Sequence, residues 1–272
     1  MPGERRIPTA ISIAGSDSGG GAGIQADLKA FARCGVHGMT AITALTAQNT
    51  VGVEAIHAVP PQMVIDQVRL VADDIGIDAV KTGMLGDAET IAAVVEALGY
   101  AGDAPVVVDP VLVAESGAVL LDPGARAALI ERLLPRATVA TPNVLEAREL
   151  TGLGDEASQE QLARAVQALG PRAAVVTGGH TEDGADVLFV GETGGDPIRI
   201  EGPRHPSGAS HGSGCTHSSS IAALLARGES LADAASHAKQ ITAAAVGQGL
   251  RGIGAGAGPV DVFGLADGSG VD

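Results

Sequence analysis

The sequence predicts an α/β fold built on a mostly parallel, doubly wound sheet. Three observations carry this. Short β-branched runs alternate with longer Ala/Leu-rich stretches of helical period. The short runs are apolar at nearly every position, as strands covered on both faces require. Hydrophobic residues make up 45% of the 272 residues, enough for a sizeable core.

In chain order, strands are predicted at 10–14, 40–45, 79–82, 106–109, 138–140 and 173–177. Helices are predicted at 22–33, 61–73, 88–98, 123–133, 144–150, 159–169, 215–226 and 231–248, each a stretch of helical period between turn signals. Two late runs, 187–190 and 198–201, flank a Gly-rich turn at 191–195 and predict antiparallel edge strands. No repeat of fixed period and no Pro-, Ser- or charge-rich linker divides the chain, so one domain over 1–272 is expected, with 1–8 and 265–272 fraying.

Composition excludes several classes of partner. A net charge of -15 opposes a polyanion footprint, and a chain with no Trp, one Tyr and three Phe lacks stacking platforms for bases. Nucleic acid is not expected as a partner. No apolar run approaches the roughly 18 residues of a membrane span, and no apolar stretch of signal-peptide length follows Arg5 and Arg6. A cytoplasmic location with no membrane partner is expected. Cys34 and Cys215 are then expected as thiols.

Ligands of open α/β sheets sit beyond the carboxyl ends of the strands. The sharpest signal in such a place is His211-Gly212-Ser213-Gly214-Cys215-Thr216, leading into a small-residue helix. Glycines at 212 and 214 let backbone N–H groups turn inward, and the positive end of the helix adds to the same spot. The result is an anion cradle suited to a transferring phosphoryl group. In the first helical turn the thiolate of Cys215 should be favoured, making it a general base. The alternative is a Gly-rich cap followed by an ordinary buried cysteine.

The Gly-rich stretch from Gly15 to Gly23 follows the first strand but is neither a Walker A loop nor a dinucleotide fingerprint. It is expected to meet a small polar substrate with its backbone and with Asp27, or else to be a flexible turn. Asp109 ends a strand before Pro110, and Asn143 and Glu146 share one face of a first helical turn. Oxygen ligands of this kind suit Mg²⁺ shared with nucleotide phosphates. A capping box between Asn143 and Glu146 is equally open. Cradle, acids and base together describe phosphoryl transfer from ATP.

These segments, in this order, resemble the ribokinase superfamily, and within it the hydroxymethylpyrimidine/phosphomethylpyrimidine kinases of thiamine biosynthesis. The resemblance spans nearly the whole chain. Its most specific parts are 21–29 (Gly-Ala-Gly-Ile-Gln-Ala-Asp-Leu-Lys) and 47–50 (Ala-Gln-Asn-Thr), with 81–85, 109–111, 141–143 and 178–180 beside them. It implies a three-layer α/β/α sandwich, ATP with Mg²⁺, a homodimer, and two successive phosphorylations of a pyrimidine at one site. It implies that Gln48 reads the ring edge, that Met84 and Val111 wall the ring, and that Gly15 and Asp27 line the same pocket. Cys215 stands where the sugar kinases of the superfamily have Asp, and Gly212, Ser213 and Gly214 would form the anion hole. Thr177, Gly179 and Thr216 are implied for the nucleotide, and Asp109, Asn143 and Glu146 for the metal. Many relatives carry Lys at the position of Thr177, so phosphate neutralisation comes from elsewhere or ATP binds more weakly. A pyridoxal kinase of similar sequence and a silent ligand-sensing relative are the alternatives.

Overall fold

The computed structural model describes residues 6–113, 120–122, 124–179, 181–191, 195–205 and 209–268. Pro123, His180 and the centre of the turn at 191–195 lie outside the described residues. One nine-stranded sheet runs through the chain in the order β3-β2-β1-β4-β5-β6-β7-β8-β9. Its strands are β1 (Thr9–Asp17), β2 (His37–Gln48), β3 (Val53–Ala58), β4 (Ala79–Thr82), β5 (Val106–Val108), β6 (Val139–Ala140), β7 (Ala173–Val176), β8 (Asp186–Val190) and β9 (Ile198–Ile200). From β2 to β7 every pairing is parallel, while β3, β8 and β9 join antiparallel. The late antiparallel edge is as expected. The strand β3 is not among the predicted ones, because nearly all of Val53–Ala58 is exposed and its sequence shows no buried face.

The pleat sorts side chains onto two helical layers. Ile11, Ile13, Val80, Val106 and Val108 meet one cluster with α2 (Pro61–Asp74), α3 (Ala88–Ala97), α4 (Ala125–Ala128), α5 (Val144–Thr151) and α6 (Gln159–Ala168). Ala10, Ala79, Val107, Val139, Ala173 and Val175 meet the other, with α1 (Gly23–Arg33), α7 (Ser213–Ala226) and α8 (Leu231–Gly247). Alanines on that second face bring α7 close to the sheet centre. The helix predicted over 123–133 is α only as far as Ala128; Leu129–Leu133 continues it in wider π turns.

Arg6 donates to the Ile75 carbonyl, and the Ala266 N–H donates to Asp261. No described helix is long and apolar enough to cross a membrane.

Candidate active site

A cavity of about 1470 Å³ opens beyond the carboxyl ends of β1, β4, β5, β6 and β7. Order reverses at β1, which has β2 on one side and β4 on the other, the place where such sheets form a crevice.

The glycine-rich motif enters the cavity wall as the start of α7. That helix begins at Ser213, two residues before the predicted start, and Gly212 caps it with φ 83°. A Cβ at Gly212 would stand 1.8 Å from the Gly21 carbonyl oxygen, so the turn is pressed onto the loop after β1 and admits only glycine. The Ser213 amide is taken by the Ser210 carbonyl at 2.9 Å. Gly214 and Cys215 stand in the first turn, where N–H groups have no carbonyl of their own helix to bond. Gly212 and Ser213 therefore shape the turn, and the amides of Gly214 and Cys215 are the ones left without a helical carbonyl.

Cys215 lines the cavity and is half-buried. Its ionisation corrects the sequence reading. Burial pushes the thiol up to about 12; Lys81 pulls it down, Asp27 and Asp109 push it up, and a Gly23 N–H bond lowers it. A helix start alone does not make this sulfur a thiolate at neutral pH, because desolvation outweighs the amide dipoles.

Asp27 does not line the cavity. It is fully buried beneath it on α1, held by Lys81 Nζ at 2.8 and 3.0 Å and by the hydroxyls of Ser12 and Ser219. Lys81 does line the cavity, and its Nζ lies 3.9 Å from Asp109. Burial works against its charge, yet Asp27, Cys215 and Asp109 hold its pKa above the ordinary lysine value. Sequence reasoning gave Lys81 no role, although a lysine inside the apolar strand Ala-Val-Lys-Thr was the available signal.

The loop from Gly15 to Gly23 is ordered by Asp17, another residue missed. Its carboxylate accepts from the amides of Gly19 (2.7 Å), Gly21 (3.1 Å) and Ala22 (2.9 Å) and meets His211 Nε2 at 3.0 Å. Those amides are thus spent on Asp17 and not on a ligand. Burial opposes the Asp17 charge, but His211 and the amides hold its pKa below the usual value. The loop lines the cavity with Gly15, Ser16, Asp17, Ala22 and Gly23, and a Cβ at Gly15 would meet the Met84 methyl at 3.0 Å.

Met84, Val111 and Gln48 line the same cavity, Gln48 from the end of β2. Asp109, Asn143 and Glu146 line it too, and so do Thr177 and Gly179. Thr216 does not: it is fully buried and its hydroxyl has no partner.

The capping box is real: Asn143 Oδ1 accepts from the Glu146 amide at 2.9 Å, and Glu146 Oε2 accepts from the Asn143 amide at 3.0 Å. It coexists with a strained charge pair. Burial pushes Glu146 up to about 8, with the Asp109 carboxylate adding to the rise. Asp109 is itself raised by burial, against Lys81 and the Ser218 hydroxyl at 2.9 Å. Two desolvated carboxylates repelling one another fit a divalent cation, whose charge would relieve both. Among the described residues no cluster of three acids, histidines or cysteines forms a metal cage, so such an ion needs ligand oxygens from a substrate.

At the far end, Asp186 Oδ1 accepts from the Gly178 amide at 2.9 Å and from Lys239 Nζ at 2.7 Å. Both side chains line the cavity beside Thr177.

A family model described as phosphomethylpyrimidine kinase matches residues 17–261. The hydroxymethylpyrimidine/phosphomethylpyrimidine kinase of Rhizobium meliloti is 48% identical over 260 residues, covering 93% of this chain and 96% of that protein. A thiamine biosynthesis bifunctional protein of Geobacter sulfurreducens is 47% identical over 265 residues; the match takes in 94% of this chain and about half, 53%, of that protein. Among solved structures, an ADP complex of Bacillus subtilis pyridoxal kinase superposes with a TM-score of 0.86 at 34% identity, covering 95% of this chain and 98% of that one.

Proposed function

The chain belongs to the phosphomethylpyrimidine kinase family, and on that premise we propose that it phosphorylates the hydroxymethyl group of a pyrimidine with ATP and then phosphorylates the monophosphate. The observation that carries this reading is the glycine-capped start of α7 on the wall of a cavity that also holds Gln48, Met84 and a carboxylate pair. An apolar slot with one side-chain amide suits a heteroaromatic ring, since an amide offers a donor and an acceptor side by side.

In this reading Gln48 binds the ring edge, and Gly15, Met84 and Val111 enclose the ring. The alcohol oxygen attacks the terminal phosphorus of ATP while the bond to the bridging oxygen breaks, and the alcohol proton passes to Cys215. The amides of Gly214 and Cys215 face the charge on the transferring group, where preorganised donors act strongly. A neutral thiol takes no proton, so with the thiol pushed up to about 12 the ionised fraction of Cys215 is the acceptor, as the alcohol becomes acidic late in a loose transition state. Lys81 stands near that thiolate and favours it before the proton arrives.

Asp109 and Glu146, braced by Asn143, would hold Mg²⁺. Bound there with ATP, it would neutralise charge on the phosphates. Thr177 and Gly179 would flank the nucleotide. A homodimer and a cytoplasmic location belong to the same reading, and sedimentation tests the first.

The decisive assay compares kcat/KM for hydroxymethylpyrimidine and for pyridoxal with ATP. The pyrimidine should be preferred; a higher value for pyridoxal overturns the choice of acceptor.

A further inference from the structure

A buried charge cluster lies where the nucleotide wall meets the helices. Asp186, at the start of β8, is 1% exposed, and Lys239, in the middle of α8, is 8% exposed. One carboxylate joins three elements. Its Oδ1 accepts from Gly178, the first residue after Thr177, and from Lys239; its Oδ2 lies 3.1 Å from Nε2 of His217 on α7. Lys239 Nζ also donates to the Gly184 carbonyl, closing the turn that Gly178 opens. The turn has no slack, since a Cβ at Gly178 would stand 1.8 Å from the Ala185 carbonyl oxygen.

Two of the three elements joined, α7 and the turn at Gly178, are those a nucleotide would span. His217 sits one helical turn behind Ser213, so it moves with the cradle. Gly178 moves with Thr177 and Gly179, which line the opposite wall. Thr177 brings no charge to that wall, whereas Lys239 does. Removing two charges from water costs several kcal/mol per ion, and apolar residues of like size would hold the same elements together without that cost. The lysine stem is already apolar packing, laid against Gly202, where a Cβ would be 2.8 Å from its Cε.

We propose that Asp186 and Lys239 are positioning residues for the nucleotide, setting the wall of Thr177 and Gly179 at a fixed distance from the cradle at the start of α7. This rests on the kinase reading above and adds to it a requirement on the ATP side alone. Asp186→Asn and Lys239→Met each loosen the wall without touching the ring slot around Gln48 and Met84.

Kinetics on the purified full chain, with calorimetric titration of a non-hydrolysable ATP analogue, test it. Each variant should raise the KM for ATP and the Kd of the analogue by about tenfold or more, the scale of a small misplacement. The KM for the pyrimidine should stay within about twofold, below the roughly 1.4 kcal/mol of a tenfold change. Lys239→Arg, which keeps the charge, should recover part of the loss. The double variant Asp186→Leu with Lys239→Met keeps apolar packing and should stay folded, yet not regain ATP affinity. Unchanged analogue binding in folded single variants overturns the inference, as does full recovery in the double variant. The analogue titration needs no acceptor, so a preference for pyridoxal would unseat the pyrimidine reading and leave this one standing.

Discussion

Lys81 Nζ lies 2.8 Å from Asp27 Oδ1, and neither side chain is exposed. The pair is built across the sheet: Ser12 on β1 is the register partner of Lys81 on β4, and both point at Asp27 on α1. Breaking such a pair from one side strands a charge in the interior. Lys81→Met should destabilise the protein by about 3–5 kcal/mol, read as a fall in the urea midpoint. Adding Asp27→Asn should recover much of that loss, because the stranded carboxylate is gone.

Cys215→Ala should lower kcat by about a hundredfold, the usual scale for a general base, with ATP-analogue affinity unchanged. The pH profile gives an independent check. With the thiol pushed up to about 12, the wild-type rate should still climb through the alkaline range, and the variant should not follow it. A flat wild-type profile with an active alanine variant removes Cys215 from the chemistry.

Gln48→Leu should weaken pyrimidine binding and leave the KM for ATP alone. A ring edge left without its partners costs about 1–3 kcal/mol, seen as a rise in the acceptor KM. If the ATP KM changes instead, the ring slot lies elsewhere in the cavity.

Glu146 gives a stability test with a defined sign. Its pKa is raised from 4.5 to about 8, so the folded chain holds this proton more tightly than the unfolded one. That contribution is fully present below about 4.5 and is lost as pH rises through about 8. Glu146→Gln keeps the capping box and carries no charge. In the absence of Mg²⁺ it should unfold at a higher temperature than wild type at pH 9, and the difference should vanish near pH 4.

Gly212→Ala places a methyl against the Gly21 carbonyl at a φ of 83°. The turn must move, and with it the amides behind it, so kcat should fall by about a hundredfold. Near-wild-type turnover would mean that the cradle does not depend on this contact.

Most strands were legible because β4, β5, β6 and β7 are buried on both faces and read as unbroken apolar runs. The exposed β3 gave no such run. In the site, Gly212 to Cys215 stood out because two glycines at a helix start free its first amides beside a cysteine. Asp27 was placed in the pocket although its spacing from Ile24 and Phe31, both buried, puts it on the inward face of α1. Lys81 showed only as a charge inside an apolar strand, and Asp186 as an acid at a strand start; the partners that give them meaning lie 54 and 53 residues away.

By itself the sequence determined the layered fold and the local chemistry: which runs are buried, which glycines free the backbone, which cysteine heads a helix. Only the tertiary structure decided where charge is stable. It turned Asp27 inward, spent the amides of the first loop on Asp17, raised the thiol of Cys215 and tied Asp186 to Lys239. The reason is that periodicity and turn chemistry act over a few residues, whereas solvation and Coulomb energies depend on groups that meet only when distant segments pack.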